Sequence, residues 1–73
     1  MARKLVSAKE IAKYARVSYA VINNYTDMGL LDIAMKKNRM RLYDLEKTKE
    51  KLIFISKLIN EGYTLRVIAK LLK

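Results

Sequence analysis

The 73-residue sequence predicts a mainly α fold: four helices, with a small two-stranded hairpin between the second and the third. Three observations predict it. Lys, Leu, Ile and Ala dominate a chain with no proline and two glycines, which leaves few of the turns an all-β fold needs. Apolar residues recur at helical spacing in four stretches, each preceded by a Ser, Asp or Thr placed to cap it. The interval 30–43 breaks that pattern, with two short apolar-rich stretches around a basic tip. The length suits one small domain with a modest core, taken here as residues 1–73.

The first helix starts at Ser7. Ser7-Ala8-Lys9-Glu10 reads as a capping box: Ser7 accepts from the Glu10 backbone N–H while Glu10 reaches back. Ile11, Ala12 and Ala15 give an apolar face, and the helix is expected to end near Tyr14 or Ala15. At two turns it cannot stand alone. Ser18 caps a second helix that runs to about Met28, with Gly29 as the residue after its end. Only Ala15, Arg16 and Val17 separate the two helices, so residues 7–28 form a helix-turn-helix. Its shared contact is expected to use Ile11, Ala12, Ala15, Val17, Ile22 and Tyr25.

The hairpin is expected to have strands at 30–33 and 41–43 and a basic tip at 34–40. No Asn-Gly pair marks its turn, and Asn38 is the residue there that best tolerates a positive φ. Arg41 and Tyr43 alternate with Leu42, which puts the first two on one strand face and turns Leu42 inward. Asp44 caps a third helix, residues 44–61, whose buried stripe is Leu45, Leu52, Ile55, Leu58 and Ile59, with Phe54 nearby. Gly62 ends it. Thr64 caps the last helix, residues 64–72, in which Leu65, Ile68, Leu71 and Leu72 face inward.

Sixteen basic residues against seven acidic ones give a net charge of +9, which points to a polyanionic partner. Residues 1–43 hold nine of the basic and three of the acidic side chains. The chain has no cysteine and no histidine. Disulfide frameworks and thiolate metal sites are thereby excluded, and the commonest general base is missing. The expectation is a protein with no metal, no cofactor and no enzymatic activity. No apolar run approaches the roughly 20 residues of a membrane span, and no signal-peptide pattern follows Met1, so a cytoplasmic protein without membrane contact fits best.

The second helix carries the candidate site. Ile22 and Tyr25 turn inward, and Tyr19, Ala20, Asn23 and Asn24 share the opposite face. Two adjacent asparagines weaken a short helix, but Asn pairs bidentately with adenine in the major groove. An Ala methyl can touch a thymine methyl, and Tyr can donate to a phosphate. The helix N-terminus at Ser18 offers free N–H groups and a favourable dipole to phosphate. Asp27, further along the same side, would repel phosphate, which confines the contact to the first two turns. Lys36, Lys37, Arg39 and Arg41 fall close together in the hairpin and are placed to flank such a helix along the DNA backbone. Tyr43 either bonds a phosphate oxygen or lies half-buried. Arg3 and Lys4 precede the first helix, as a short basic arm or as a solvated tail.

These stretches resemble the N-terminal half of MerR-type regulators. Ile11-Ala12, Ala15-Arg16-Val17-Ser18, Asn23-Asn24-Tyr25 and Gly29-Leu30-Leu31 occupy the places of the family's Leu/Ile-Ala, Ala-Gly-Val-Ser, Arg-Tyr-Tyr and Gly-Leu-Leu. Arg41 and Tyr43 match the Arg-x-Tyr of its wing, and residues 52–72 resemble its Leu-x-Phe-Ile … Leu-Gly-Phe-Ser-Leu-x-x-Ile segment. The resemblance covers about residues 5–72. It implies a winged helix-turn-helix that binds promoter DNA, the second helix in the major groove and the wing on the backbone. It implicates Ser18, Tyr19, Ala20, Asn23, Asn24, Arg41 and Tyr43. Arg16 departs from the family's turn glycine; if a positive φ is needed there, it costs Arg roughly 1 kcal/mol. Asn23-Asn24 replaces Arg-Tyr, the wing lacks its usual glycine with Arg39 near that place, and one extra residue sits between Tyr43 and Leu52. Relatives continue into a dimerisation helix and an effector domain. Ending at Lys73, this chain is expected to be either a DNA-binding fragment or a short relative without a sensor.

The function expected is sequence-specific binding of double-stranded DNA as a MerR-type transcriptional regulator of bacterial type. DNA contacts are expected from Ser18, Tyr19, Ala20, Asn23, Asn24, Lys36, Lys37, Arg39, Arg41 and Tyr43. A homodimer, or a head-to-tail row on DNA, is compatible with it. Two alternatives stand beside it: an architectural DNA-binding protein, excisionase-like or terminase-like, and a basic protein-interaction module.

Overall fold

The computed structural model describes residues 4–72. The elements run β1 (Leu5–Ser7), α1 (Ala8–Ala15), α2 (Tyr19–Asp27), β2 (Met35–Lys37), β3 (Met40–Asp44), α3 (Leu45–Asn60) and α4 (Leu65–Leu71). Four helices and a small antiparallel sheet make a mainly α winged helix-turn-helix, with α1 and α3 packed on the sheet, α2 on α1 and α4 on α3.

Each helix begins where its cap dictates. The Ser7 capping box is formed: the Glu10 N–H donates to Ser7 Oγ at 3.3 Å, and the Ser7 N–H donates to Glu10 Oε1 at 3.2 Å. Ser18, Asp44 and Thr64 accept from the N–H groups of Val21, Lys47 and Val67 and so open α2, α3 and α4. Arg16 closes α1 in the left-handed region, at φ 57° and ψ 41°. Gly29 and Gly62, at φ 82° and 99°, follow the ends of α2 and α3.

The helix-turn-helix packs much as its pattern requires. Ile11, Ala12 and Ile22 are buried, with Ala15 and Tyr25 packed against them. Val17 is not part of this contact and stays exposed, because the left-handed turn at Arg16 carries it to the outer side. Along α3 the buried residues are Leu45, Thr48, Leu52, Ile55 and Leu58. Ile59 and Phe54 are exposed, so the stripe is narrower than expected, and the small Thr48 takes a place within it. Ile68 anchors α4 in the core, while Leu71 points outward.

The sheet differs from expectation in three ways. It has three strands, in the order β1-β3-β2, because residues 5–7 add a strand beside β3. Three residues carry no periodic signal, and this strand exists only through its pairing of Val6 with Tyr43. The first hairpin strand lies at Met35–Lys37 instead of 30–33. Leu30 and Leu31 are buried as irregular chain after Gly29, where the Leu30 N–H donates to the Tyr25 carbonyl at 2.8 Å. Finally, Tyr43 is fully buried and Leu42 only half-buried, which reverses their expected faces. The phenol ring offers the core a larger apolar surface than Leu42 does, and its hydroxyl finds a partner in Thr26.

Candidate nucleic-acid interface

Three elements converge on one cleft. The start of α1 follows β1 directly, and Ser7 of β1 pairs with Leu42 of β3. That pairing sets the N-terminus of α1 against the wing, the β2–β3 hairpin. From the other side α2 presents Tyr19, Asn23 and Asp27, a stripe at i, i+4, i+8. Between them opens a cleft of about 490 Å³ lined by Lys9, Tyr19, Asn23, Asp27, Arg39 and Arg41, among others. The Lys9 ammonium lies 6.0 Å from the centre of the Tyr19 ring, at the outer edge of cation–π range.

A polar chain ties the wing to α2. The Tyr43 hydroxyl lies 2.7 Å from Thr26 Oγ1, and Thr26 Oγ1 donates to the Ile22 carbonyl at 2.9 Å. The single Thr26 proton is thus used, and Tyr43 donates. Two residues back along β3, Arg41 donates from one terminal nitrogen to Asp27 Oδ1 at 2.9 Å. That hydrogen bond raises the Arg41 guanidinium above its ordinary pKa; burial opposes it slightly, and Tyr43 adds a smaller push upward.

The expected site residues divide into two groups. Tyr19, Ala20 and Asn24 are exposed on α2, and Asn23 is half-buried in the cleft wall. Lys36, Lys37 and Arg39 are exposed on the wing, and Arg41 is partly so. Ser18 Oγ is engaged as the cap of α2. Tyr43 is the exception: at 0 % exposure its side chain packs inside, behind the surface the others share. Arg3 lies outside the described residues, and the Lys4 carbonyl accepts the Leu45 N–H, which pins the chain just before β1.

Two residues of the cleft escaped sequence reasoning. Lys9 is exposed at the start of α1, on the side away from Ile11, and that placement is the available signal. Asp27 looked like a source of repulsion, and its partner Arg41 is 14 positions away, with no local signal to join them.

Residues 6–73 match the family described as MerR HTH family regulatory protein. The chain belongs to the MerR HTH family. A search of curated proteins and one of solved structures gave no significant match. MerR HTH domains are non-enzymatic modules that bind DNA and regulate transcription, which makes DNA the partner class of this chain. The cleft brings an exposed stripe of α2 and the wing residues Arg39 and Arg41 to one side of the molecule. A larger groove, about 680 Å³, lies between the end of α1 and α3 and is walled by Tyr14, Val17, Leu52 and Ile53. Its walls are mostly apolar, with Lys49, Lys57 and Glu61 at the same groove. Among the described residues no helix is long and apolar enough to cross a membrane.

Proposed function

We propose that this chain binds double-stranded DNA in a sequence-specific way, as a single module spanning residues 1–73 of a cytoplasmic transcriptional regulator. The observation that carries the reading is the shared cleft: Tyr19 and Asn23 of α2 and Arg39 and Arg41 of the wing line one open surface. In this reading α2 enters the major groove. Asn23 and Asn24 offer amides to base edges, and Ala20 offers a methyl. The free N–H groups at the start of α2, together with Tyr19, take a phosphate. Lys36, Lys37, Arg39 and Arg41 follow the backbone and supply the sequence-independent part of the affinity. Tyr43 holds the wing at its distance from α2 and touches no DNA. Two copies on neighbouring sites would bind far more tightly than one through effective concentration.

Selection of bound sequences from a random duplex pool tests this. A consensus should emerge. Asn23→Ala should then relax preference at one position, by roughly 1–3 kcal/mol, while leaving the others. Recovery of no consensus, or of an unaltered one with Asn23→Ala, would remove α2 as the reading element.

A further inference from the structure

We propose that Asp27 is a positioning residue for DNA recognition, whose carboxylate holds the Arg41 guanidinium at the cleft between α2 and the wing and aims its remaining N–H groups at the duplex. This rests on the proposed function above.

Asp27 ends the stripe that begins with Tyr19 and Asn23, so it faces the same cleft. Its contact with Arg41 is one hydrogen bond, 2.9 Å from a terminal nitrogen. A guanidinium carries five N–H donors in a rigid plane. One is engaged by Asp27, which orients the plane and leaves donors for the duplex. The need for such a restraint is visible in the sheet. Arg41 pairs directly with Lys36 across the β2–β3 ladder. Directly opposed like charges repel, so without an anion to hold it the Arg41 side chain would be pushed away from Lys36 into solvent. Asp27 supplies that anion from the neighbouring element. Asp27 follows Thr26 in the chain, and Thr26 is tied to Tyr43 of the wing, so the backbone that carries the carboxylate is joined to the strand that carries Arg41. A pre-oriented arginine loses less rotamer freedom on binding than a free one.

A positioning carboxylate and a merely repelling one have opposite effects on DNA binding. Removing a carboxylate near a polyanion should tighten binding to every duplex alike. If Asp27 positions Arg41, Asp27→Asn should instead weaken binding to the selected sequence about tenfold, although the chain gains a unit of positive charge. Binding to a random duplex should stay the same or tighten, so the ratio of the two affinities falls. Asp27→Glu, which keeps the anion, should restore most of the ratio. Nitrogen-15 spectra of the free protein give a second readout. A slowly exchanging Arg41 side-chain resonance should be present in the unsubstituted protein and in Asp27→Glu, and broadened in Asp27→Asn. Equal tightening of Asp27→Asn on selected and random duplexes would overturn the proposal, as would an Arg41 resonance indifferent to Asp27. Failure of the unsubstituted protein to bind any duplex would instead strike at the proposed function itself, and the positioning role would fall with it.

Discussion

Arg16 shows how one residue can be legible in sequence and still run against its conformation. The turn between α1 and α2 is three residues long, and the chain must reverse within it. It does so by placing Arg16 at φ 57° and ψ 41°. The Val17 N–H then donates to the Ala12 carbonyl at 3.1 Å and satisfies the end of α1. A side chain with a Cβ pays for that geometry, by about 1 kcal/mol. Arg16→Gly should therefore raise stability by about 1 kcal/mol, which in a domain of this size moves the melting temperature by about 4–8 °C. Arg16→Ala keeps the Cβ and should gain nothing. Thermal unfolding followed by circular dichroism decides it, and equal gains in both variants would show that charge, not backbone strain, was relieved. Tyr43 teaches the opposite lesson. Alternation places it on the same strand face as Arg41, but alternation alone does not say which face meets the core. The answer lies in the Thr26 hydroxyl, 17 positions away in sequence.

Among the elements, the helices were legible, and of the sheet the wing and its second strand were, but not the first wing strand or β1. Caps and apolar spacing are local, so Ser7, Ser18, Asp44 and Thr64 announce their helices within a few residues. Strand pairing is a long-range choice. Leu30 and Leu31 look like a strand because they are apolar, yet they are claimed by the core immediately after Gly29. The exposed Met35–Lys37 becomes the strand instead, because the turn it shares with β3 fixes the register. That turn has two central residues, Asn38 at φ 49° and Arg39 at φ 69°. Positive φ at both is what a type I′ hairpin requires, and Asn-Gly is its preferred pair. Asn38 was recognisable as such a residue; Arg39 was not, because it gives up backbone comfort to place a cation at the wing tip. Arg39→Gly separates the two roles. Melting should occur at a higher temperature, by the few degrees that about 1 kcal/mol brings. DNA affinity should fall at the same time, and the slope of log affinity against log salt should shrink by about 1. A variant that binds DNA as well as the original would remove Arg39 from the interface.

For the molecule as a whole, the net charge of +9 announced a polyanion partner but not where the cations gather. The fold decides that. Pairing Ser7 with Leu42 brings Lys9 to the wing, and the hairpin register sets Lys36 beside Arg41. Lys9, Arg39 and Arg41 then line the cleft beside α2, and Lys36 and Lys37 lie exposed on the adjoining strand. Lys57, by contrast, lines the apolar groove between α1 and α3. If the clustered cations neutralise four or five phosphates, log affinity should fall with log salt at a slope of about −4, since each contact on duplex DNA contributes about −0.9. Raising salt from 50 to 200 mM should then weaken binding by about 250-fold. The decisive comparison is between two substitutions that remove the same charge. Lys36→Ala should flatten the slope by about 1, because a phosphate contact and its released counterion are lost. Lys57→Ala should leave the slope unchanged and lower affinity only a little, because screening at a Debye length of about 8 Å mutes a charge held away from the duplex. Fluorescence anisotropy across a salt series measures both. Identical slopes for the two variants would mean that total charge, not the arrangement the fold imposes, drives the association.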